Sequence, residues 1–584
     1  MAKAFNWIIG IIFCFFLYGY VCTVIPYQLC QLEHDNLFVA DVDSWVQSLQ
    51  SFGGLGEWLS DFAIQFFALP HGGSLVFVFP VLALFPVTAF FLHKFRVSAA
   101  YYPVAMLPAV VQLFSQYDFN YYWNGSLCLF IALLLLASVS ALPLSSRKRF
   151  VVFLMGIPVV ACLFGAIALP YTLCGILLFA ERKDWPYRLL LPLGLWLLTV
   201  LCCHYTLYAD TWGQAFSPAL YYNPYIEMPA FHWASWLLLP FLLLLASWSR
   251  LHIPVRKKIL SGGCCVCLWM VVFGLHFHYA PSFINQKNQG IWQLNHYSFV
   301  EDWDGIIRFC SAKPVTNQLY MNYVNMALAQ KGELGNKAFL FRPYGTAALM
   351  VKGNGTGAVH MLMSDVQYTV GCIAKAQQHA FEAQVSLPHS CGIQTLMRLV
   401  KTNLILGHYA VADKYLTRIA GTLFYKDWAD KYRRFLYDDA AVEADKELGG
   451  KRRSLSHTNR FAMSGGWELD LEDIIEANPQ NHIAVTYLGL SYLLSKNVEG
   501  FHRFLDRYYG TDCLKQLPLS FQQGVIVVFQ QEKEVWGKYN LSPDVTGLYH
   551  QYRDIYIQNR NNPNLKNILA KSFGNTFWYY LMFI

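Results

Sequence analysis

Charge is what the first half of this chain lacks. Eight apolar runs, 5–26, 73–92, 98–115, 126–144, 150–180, 189–207, 232–249 and 259–279, contain no Asp, Glu, Lys or Arg. A run of about 20 apolar residues is long enough to cross a bilayer. Ion-coupled carriers keep ionisable groups near the membrane midplane, so uncharged runs argue against transport; only His204 and His276 come close, both near run ends. A second deficit is more telling. Segments 27–72, 116–125 and 208–231 carry no Lys or Arg at all. The 13 basic residues of the first 279 fall elsewhere: Lys3; Lys94 and Arg96; Arg147, Lys148 and Arg149; Arg182, Lys183 and Arg188; Arg250, Arg256, Lys257 and Lys258. Basic residues gather on the cytoplasmic side of membrane proteins, so these segments are expected inside and the three empty ones outside. No basic stripe with interleaved aromatics is present, which sets nucleic acid aside. The start has one lysine, no small-residue cleavage pattern and no lipobox between Cys22 and Cys30, so the first run is expected to be a retained span.

What is present divides the chain in two. Residues 1–279 hold 13 of the 44 Lys and Arg and 11 of the 37 Asp and Glu, leaving 31 and 26 for the rest, a normal density for a water-soluble domain. The run 150–180 is long for one span, contains Pro158 and Pro170, and has basic residues at both ends. It therefore reads as a hairpin of two short helices, which brings the crossings to about nine. An odd number puts everything after Tyr279 outside. The expected fold is all-α: a polytopic transmembrane helical bundle over 1–280, then an extracytoplasmic, tetratricopeptide-like (TPR-like) helical-repeat domain over 281–584. Of the 15 cysteines, 11 precede residue 280, mostly within apolar runs where Cys packs as a small residue. The other four, Cys310, Cys372, Cys391 and Cys513, are expected to be free buried thiols, since a domain of this size needs no staples.

The repeat reading rests on recurring phrases. Asn325-Met-Ala-Leu-Ala-Gln-Lys-Gly332 with Ala338 is one, and Tyr368, Gly371, Ala374 and Ala380-Phe381 form another. The strongest are Asn403-Leu-Ile-Leu-Gly407-His-Tyr409-Ala-Val-Ala412 with Tyr415-Leu416, and Asn478-Pro479 through Ala484, Tyr487, Gly489, Tyr492, Phe501 and Phe504-Leu505. In such helix pairs a Gly or Ala lets two helices approach and an aromatic fills the groove. The spacing departs from a strict period, and 341–362 and 439–470 read as loops or short insertions.

Three features taken together carry a resemblance. The nine-span first half, the phrase Phe52-Gly-Gly54-Leu with Glu57-Trp-Leu, Phe62 and Gln65-Phe-Phe67, and the closing Gly574-Asn-Thr-Phe-Trp-Tyr-Tyr580 resemble an uncharacterised family of Bacteroidetes multi-spanning membrane proteins. That resemblance covers essentially the whole chain and implies a bacterial inner membrane, with the N-terminus cytoplasmic and the C-terminal domain periplasmic; it implies no activity. In outline the chain also resembles GT-C superfold glycosyltransferases, which begin with one span and an acidic outer loop and often end in a periplasmic domain.

Candidate chemistry sits in the outer loops. The first, 27–72, reads Gln31-Leu-Glu33-His34-Asp35-Asn36 and continues to Asp41 and Asp43. Its stretch 44–69 is amphipathic, broken at Gly53–Gly54, and is expected to form two short helices in the membrane interface. Under the GT-C resemblance, Glu33 or Asp35 would be the general base for an acceptor hydroxyl or a ligand of a divalent cation, and Asp118 a second carboxylate. Asp210 and Glu227 are further candidates. Against this stands a bland reading: loops that exclude Lys and Arg are acidic by default. A lipid-phosphate leaving group also wants a cation, and only a metal, His34, His71 or His232, or Lys287, Arg308 and Lys313 of the second half would supply one. His276 and His278, two apart, fall on different helix faces and are expected not to share a metal. The first expectation is therefore an envelope scaffold or assembly factor whose repeat domain binds a periplasmic protein partner. The alternative is a GT-C-like enzyme moving a sugar from a polyprenyl-phosphate carrier, and a cofactor, a divalent cation, enters only with it.

Overall fold

The computed structural model describes residues 2–179, 185–207, 211–248, 258–387, 391–456 and 466–584. Among these, every regular element is helical, and β pairing is confined to isolated bridges at Tyr121–Tyr222 and Tyr509–Leu514. The chain forms two compact units, Met1–Gly290 with Gly421–Phe424, and Ile291–Ala420 with Tyr425–Ile584.

In the first unit six described helices are long and apolar enough to cross a membrane: Ala4–Val24, Gly72–Lys94, Trp123–Ala141, Ser146–Phe179, Pro186–Thr206 and Gly262–Phe283. Gly72–Lys94 is the central one, with 61% of its apolar window buried in protein. Ala4–Val24 and Pro186–Thr206 bury only 22% and 17%, so they turn most of their apolar side chains outward, an arrangement that suits hydrocarbon and not water.

Six long helices differ from nine expected crossings for local reasons. The run 98–115 is divided into a 3₁₀ helix, Ala99–Met106, and a short α-helix, Leu107–Tyr117. Pro103 and Pro108 each withdraw a backbone donor, so one continuous helix does not form there. His232–Ser247 is apolar but short. The 34-residue stretch Ser146–Phe179 doubles back on itself at the turn Gly165–Ile167. The Phe153 ring lies 5.6 Å from that of Tyr171 and 5.5 Å from that of Phe179. In a straight helix residues 153 and 179 would stand about 39 Å apart. Gly165 makes the reversal with φ +71°, and a Cβ there would meet Leu220 at 2.5 Å. Segment 27–72 contains the two short helices its pattern predicts, Val42–Leu49 and Gly54–Ile64. They are held by edge-to-face contacts of Trp58 with Phe38 and Trp45.

The second unit is built of short helices, several in antiparallel pairs: Gly357–Val370 with Ile373–Val385, Ile393–Leu406 with Tyr409–Ala420, and Trp467–Ala477 with His482–Leu494. The glycines of the repeat phrases do different work from one another. Gly407 ends its helix in the left-handed conformation (φ +76°) while His408 N–H donates to Asn403 O at 2.8 Å, a Schellman-type C-cap. Gly371 does the same, with φ +101°. Only Gly489 of these three lies in a helix crossing, where an added Cβ would meet Phe521 at 2.3 Å and Phe504 at 2.9 Å. The segments expected as loops also hold helix: Gly357–Val370 begins inside the first, and Asp439–Ala444 and Leu448–Arg452 lie in the second. The closing phrase is a core seam. Thr576 caps the last helix, Trp578 Nε1 donates to Gln523 O at 3.0 Å, and Tyr580 Oη donates to Leu494 O at 2.6 Å. Cys310, Cys391 and Cys513 are buried free thiols as expected, whereas the free thiol Cys372 is only half-buried.

Candidate functional site

The carboxylates nominated by sequence lie in the first unit, each with its own partners. Glu33 and His34 end the helix Pro26–His34, both buried, with His34 Nε2 3.9 Å from Glu33 Oε2. Asp35 follows and accepts from Gln31 Nε2 at 2.8 Å; burial pushes its carboxyl up to about 7 against the pull of that hydrogen bond. Asp118 lies between Leu107–Tyr117 and Trp123–Ala141. It accepts from Tyr222 Oη at 3.0 Å and from Asn120 N at 3.0 Å, with His232 Nε2 at 3.4 Å. Burial opposes ionisation of Asp118, but His232, Asn120 and Tyr222 outweigh it and hold the carboxyl below its ordinary value. Asp41 is an N-cap, accepting from Ser44 N at 2.6 Å, which is a structural role. Glu227 and His71 are exposed. Lys287 and Lys313 are exposed as well, and Arg308 stands 3.8 Å from Asp302. Asp210 lies outside the described residues. His276 is buried and His278 exposed, on different faces as their spacing requires.

Charge patterning alone passes over a group of uncharged polar residues. Gln112, Ser115, Gln116 and Tyr117 share the short helix Leu107–Tyr117, and all are buried. Gln112 donates to Tyr121 Oη and Ser126 Oγ, while Gln116, Ser115 and Tyr117 hold buried polar atoms without a hydrogen-bond partner. A search for charge does not find them; a polar Gln-Leu-Phe-Ser-Gln-Tyr within an apolar run is the signal that would.

A cavity of about 980 Å³ lies within the second unit. Helical spacing brings its walls together. Met361, Asp365, Tyr368 and Thr369 lie on one face of Gly357–Val370, and Gln394, Met397, Arg398 and Lys401 on one face of Ile393–Leu406. Lys446, Glu447, Lys451 and Arg453 come from the short helix Leu448–Arg452 and its flanks, and Trp303, Tyr425 and Trp428 add aromatic surface.

A connected set of ion pairs organises these walls. Arg398 donates to Asp365 Oδ1 at 2.8 Å and lies 3.8 Å over the Tyr368 ring. Tyr368 Oη donates to Glu447 Oε1 at 2.8 Å, and Lys401 Nζ donates to the same oxygen at 2.8 Å. Lys451 Nζ donates to Thr369 O at 2.6 Å. Burial holds the Asp365 carboxyl above the usual carboxylate range in spite of Arg398. At Glu447 burial is outweighed by Lys401, so its carboxyl stays below its ordinary value. Burial lowers the Lys451 ammonium to about 8. Five cationic side chains (Arg398, Lys401, Lys446, Lys451, Arg453) face three carboxylates (Glu301, Asp365, Glu447), so the wall is net positive. Arg398 retains Nε and Nη1 buried with no hydrogen-bond partner.

Six long apolar helices in one unit and a helical second unit with a charged cavity define an integral membrane protein. The chain belongs to the family of unknown function DUF6057, whose family model matches residues 1–584. No curated protein and no solved structure matches it.

Proposed function

We propose that this membrane protein is a binding scaffold whose second unit, a helical-repeat domain on the extracytoplasmic side, holds an acidic, extended segment of a protein partner in the 980 Å³ cavity. The carrying observation is the excess of cations on the cavity wall, with a buried guanidinium that has two nitrogens unused. A carboxylate from the partner would accept a charge-assisted hydrogen bond from one of those nitrogens. The side-chain amides of Gln330, Gln394, Asn478 and Asn481 line the same space and offer both donors and acceptors, which suits a peptide backbone. The extracytoplasmic placement rests on the 13 basic residues and their absence from three loops.

The test is calorimetric titration of the full-length protein in detergent with an acidic and a basic decapeptide. The acidic peptide is expected to bind with salt-dependent affinity. Reversing two cations on the cavity wall (Lys446→Glu with Arg453→Glu) is expected to weaken it about tenfold or more, some 1.4 kcal/mol. Equal affinity for both peptides, or for the variant, would sink the reading.

A second reading, the GT-C-like transfer of a sugar from a polyprenyl-phosphate carrier, is favoured by one observation. The carboxyls of Asp35 and Asp118 are driven in opposite directions, one up to about 7 and the other down. Under this reading Asp35→Asn abolishes transfer while exposed Asp43→Asn spares it; a wild-type protein without transferase activity on any such donor removes it.

A further inference from the structure

Away from the cavity, two helices of the second unit direct three metal-ligating side chains at one point. His379 and Glu382 are three residues apart on Ile373–Val385, hence on one face, and His360 comes from the first turn of the paired helix Gly357–Val370. One ligand atom from each lies within 4.8 Å of the others. Both Nδ1 atoms approach the same oxygen, Glu382 Oε2, at 2.8 Å from His360 and 2.7 Å from His379. The imidazole rings stand side by side with centroids 5.8 Å apart and planes 28° from parallel.

Hydrogen bonding accounts for only part of this. The His379 contact has hydrogen-bond geometry. His360 Nδ1 does not, and it is a buried polar atom with no hydrogen-bond partner although a carboxylate oxygen is 2.8 Å away. Two imidazoles and one carboxylate converging this way make a ligand set for a divalent transition ion. The other carboxylate oxygen, Oε1, accepts from Gln378 Nε2 at 2.9 Å, the kind of outer contact that orients a ligating carboxylate. Exposure is uneven: the histidine side chains are 15% and 13% exposed and that of Glu382 37%, so the cluster opens to solvent on the glutamate side.

We propose that His360, His379 and Glu382 form a binding site for a divalent first-row transition ion of the zinc class. Three positions come from the protein and a fourth, on the Glu382 side, is open to water. The ion joins the two helices of the hairpin and leaves the cavity residues of the same helix, Asp365 and Tyr368, to their own partners.

The full-length protein in detergent, stripped with chelator, is titrated with Zn²⁺ by calorimetry and with Co²⁺ by absorption spectroscopy. Expected is one ion per chain, with a Co²⁺ spectrum of nitrogen and oxygen ligation lacking a thiolate charge-transfer band. His379→Gln and Glu382→Gln are each expected to weaken Zn²⁺ at least tenfold, within the range of about 10–100-fold seen when a metal site loses a supporting contact. His502→Gln, at an exposed histidine beside Asp506, leaves affinity unchanged. Thermal melts of the metal-free variants, matched to wild type, separate lost ligation from lost fold, and Zn²⁺ raises Tm in wild type alone. Unaltered affinity in both ligand variants overturns the proposal, and so does a thiolate band, which would assign the ion to one of the 15 cysteines.

Discussion

Two side chains on the cavity wall show how much of this protein's electrostatics is paired at close range. Asp365 has only 4% of its surface exposed, and Arg398 donates to it at 2.8 Å. Removing one member of a buried pair leaves the other uncompensated, at a cost of about 3–5 kcal/mol, while replacing both by apolar residues of similar volume is often neutral. Arg398→Met is therefore expected to lower Tm sharply, and Asp365→Leu with Arg398→Met to recover most of the loss, both read in a detergent melt. Lys451 offers a pH test. Burial lowers its ammonium from the ordinary 10.5 to about 8. Below 8 folded and unfolded chains are both protonated there; between 8 and 10.5 the unfolded chain binds the extra proton. Raising pH through that window thus favours the folded state, by at most about 3–4 kcal/mol, since each tenfold difference in proton affinity is worth about 1.4 kcal/mol. Lys451→Met is expected to flatten that rise in a pH series of melts.

At the scale of elements, the turn at Gly165 decides whether 150–180 is one span or a pair. Its φ of +71° is costly for any side chain, and an added Cβ would also strike Leu220 and lie 3.1 Å from Tyr221 Oη. Gly165→Ala is expected to destabilise the first unit by about 1–3 kcal/mol, read as a lower melting temperature by size-exclusion of heated samples. An unchanged melt would mean the turn tolerates a side chain. The helix pairs of the second unit teach a different point. Gly407 and Gly489 look alike in sequence, yet one caps a helix end and the other admits two phenylalanines to a crossing. Gly489→Leu is accordingly expected to disrupt the core more than Gly407→Asn, since Asn adopts the left-handed cap conformation and a Cβ added at Gly407 would point into open space. Comparing the two variants' urea midpoints checks the order.

For the molecule as a whole, the charge asymmetry makes a prediction that geometry alone does not. A reporter active only outside the cytoplasm, fused after Ile584, is expected to be on; an inactive fusion reverses the orientation. Much of the architecture is legible in the linear chain. Long uncharged runs are a one-dimensional signal, because spanning hydrocarbon depends on length and apolarity within a single segment. The hairpin at 150–180 is legible for the same reason, from two prolines and basic ends. The short helices of segment 27–72 follow from amphipathic spacing broken at Gly53–Gly54.

The sites are far less legible. Glu33, Asp35 and Asp118 stand out because charge is scarce around them, whereas the cavity residues stand in a half rich in charge and give no contrast. Arg398, Asp365, Glu447 and Lys451 lie on three separate helical segments, and His360 is 19 positions from His379. Sequence alone determined the helical class, the apolar runs and the uneven spread of basic residues between segments, since each depends on residues near one another along the chain. Tertiary structure alone decided which carboxylate meets which guanidinium, and which histidines converge on Glu382. Those pairings depend on how helices pack, and packing is settled by side-chain fit between segments that the linear order does not bring together.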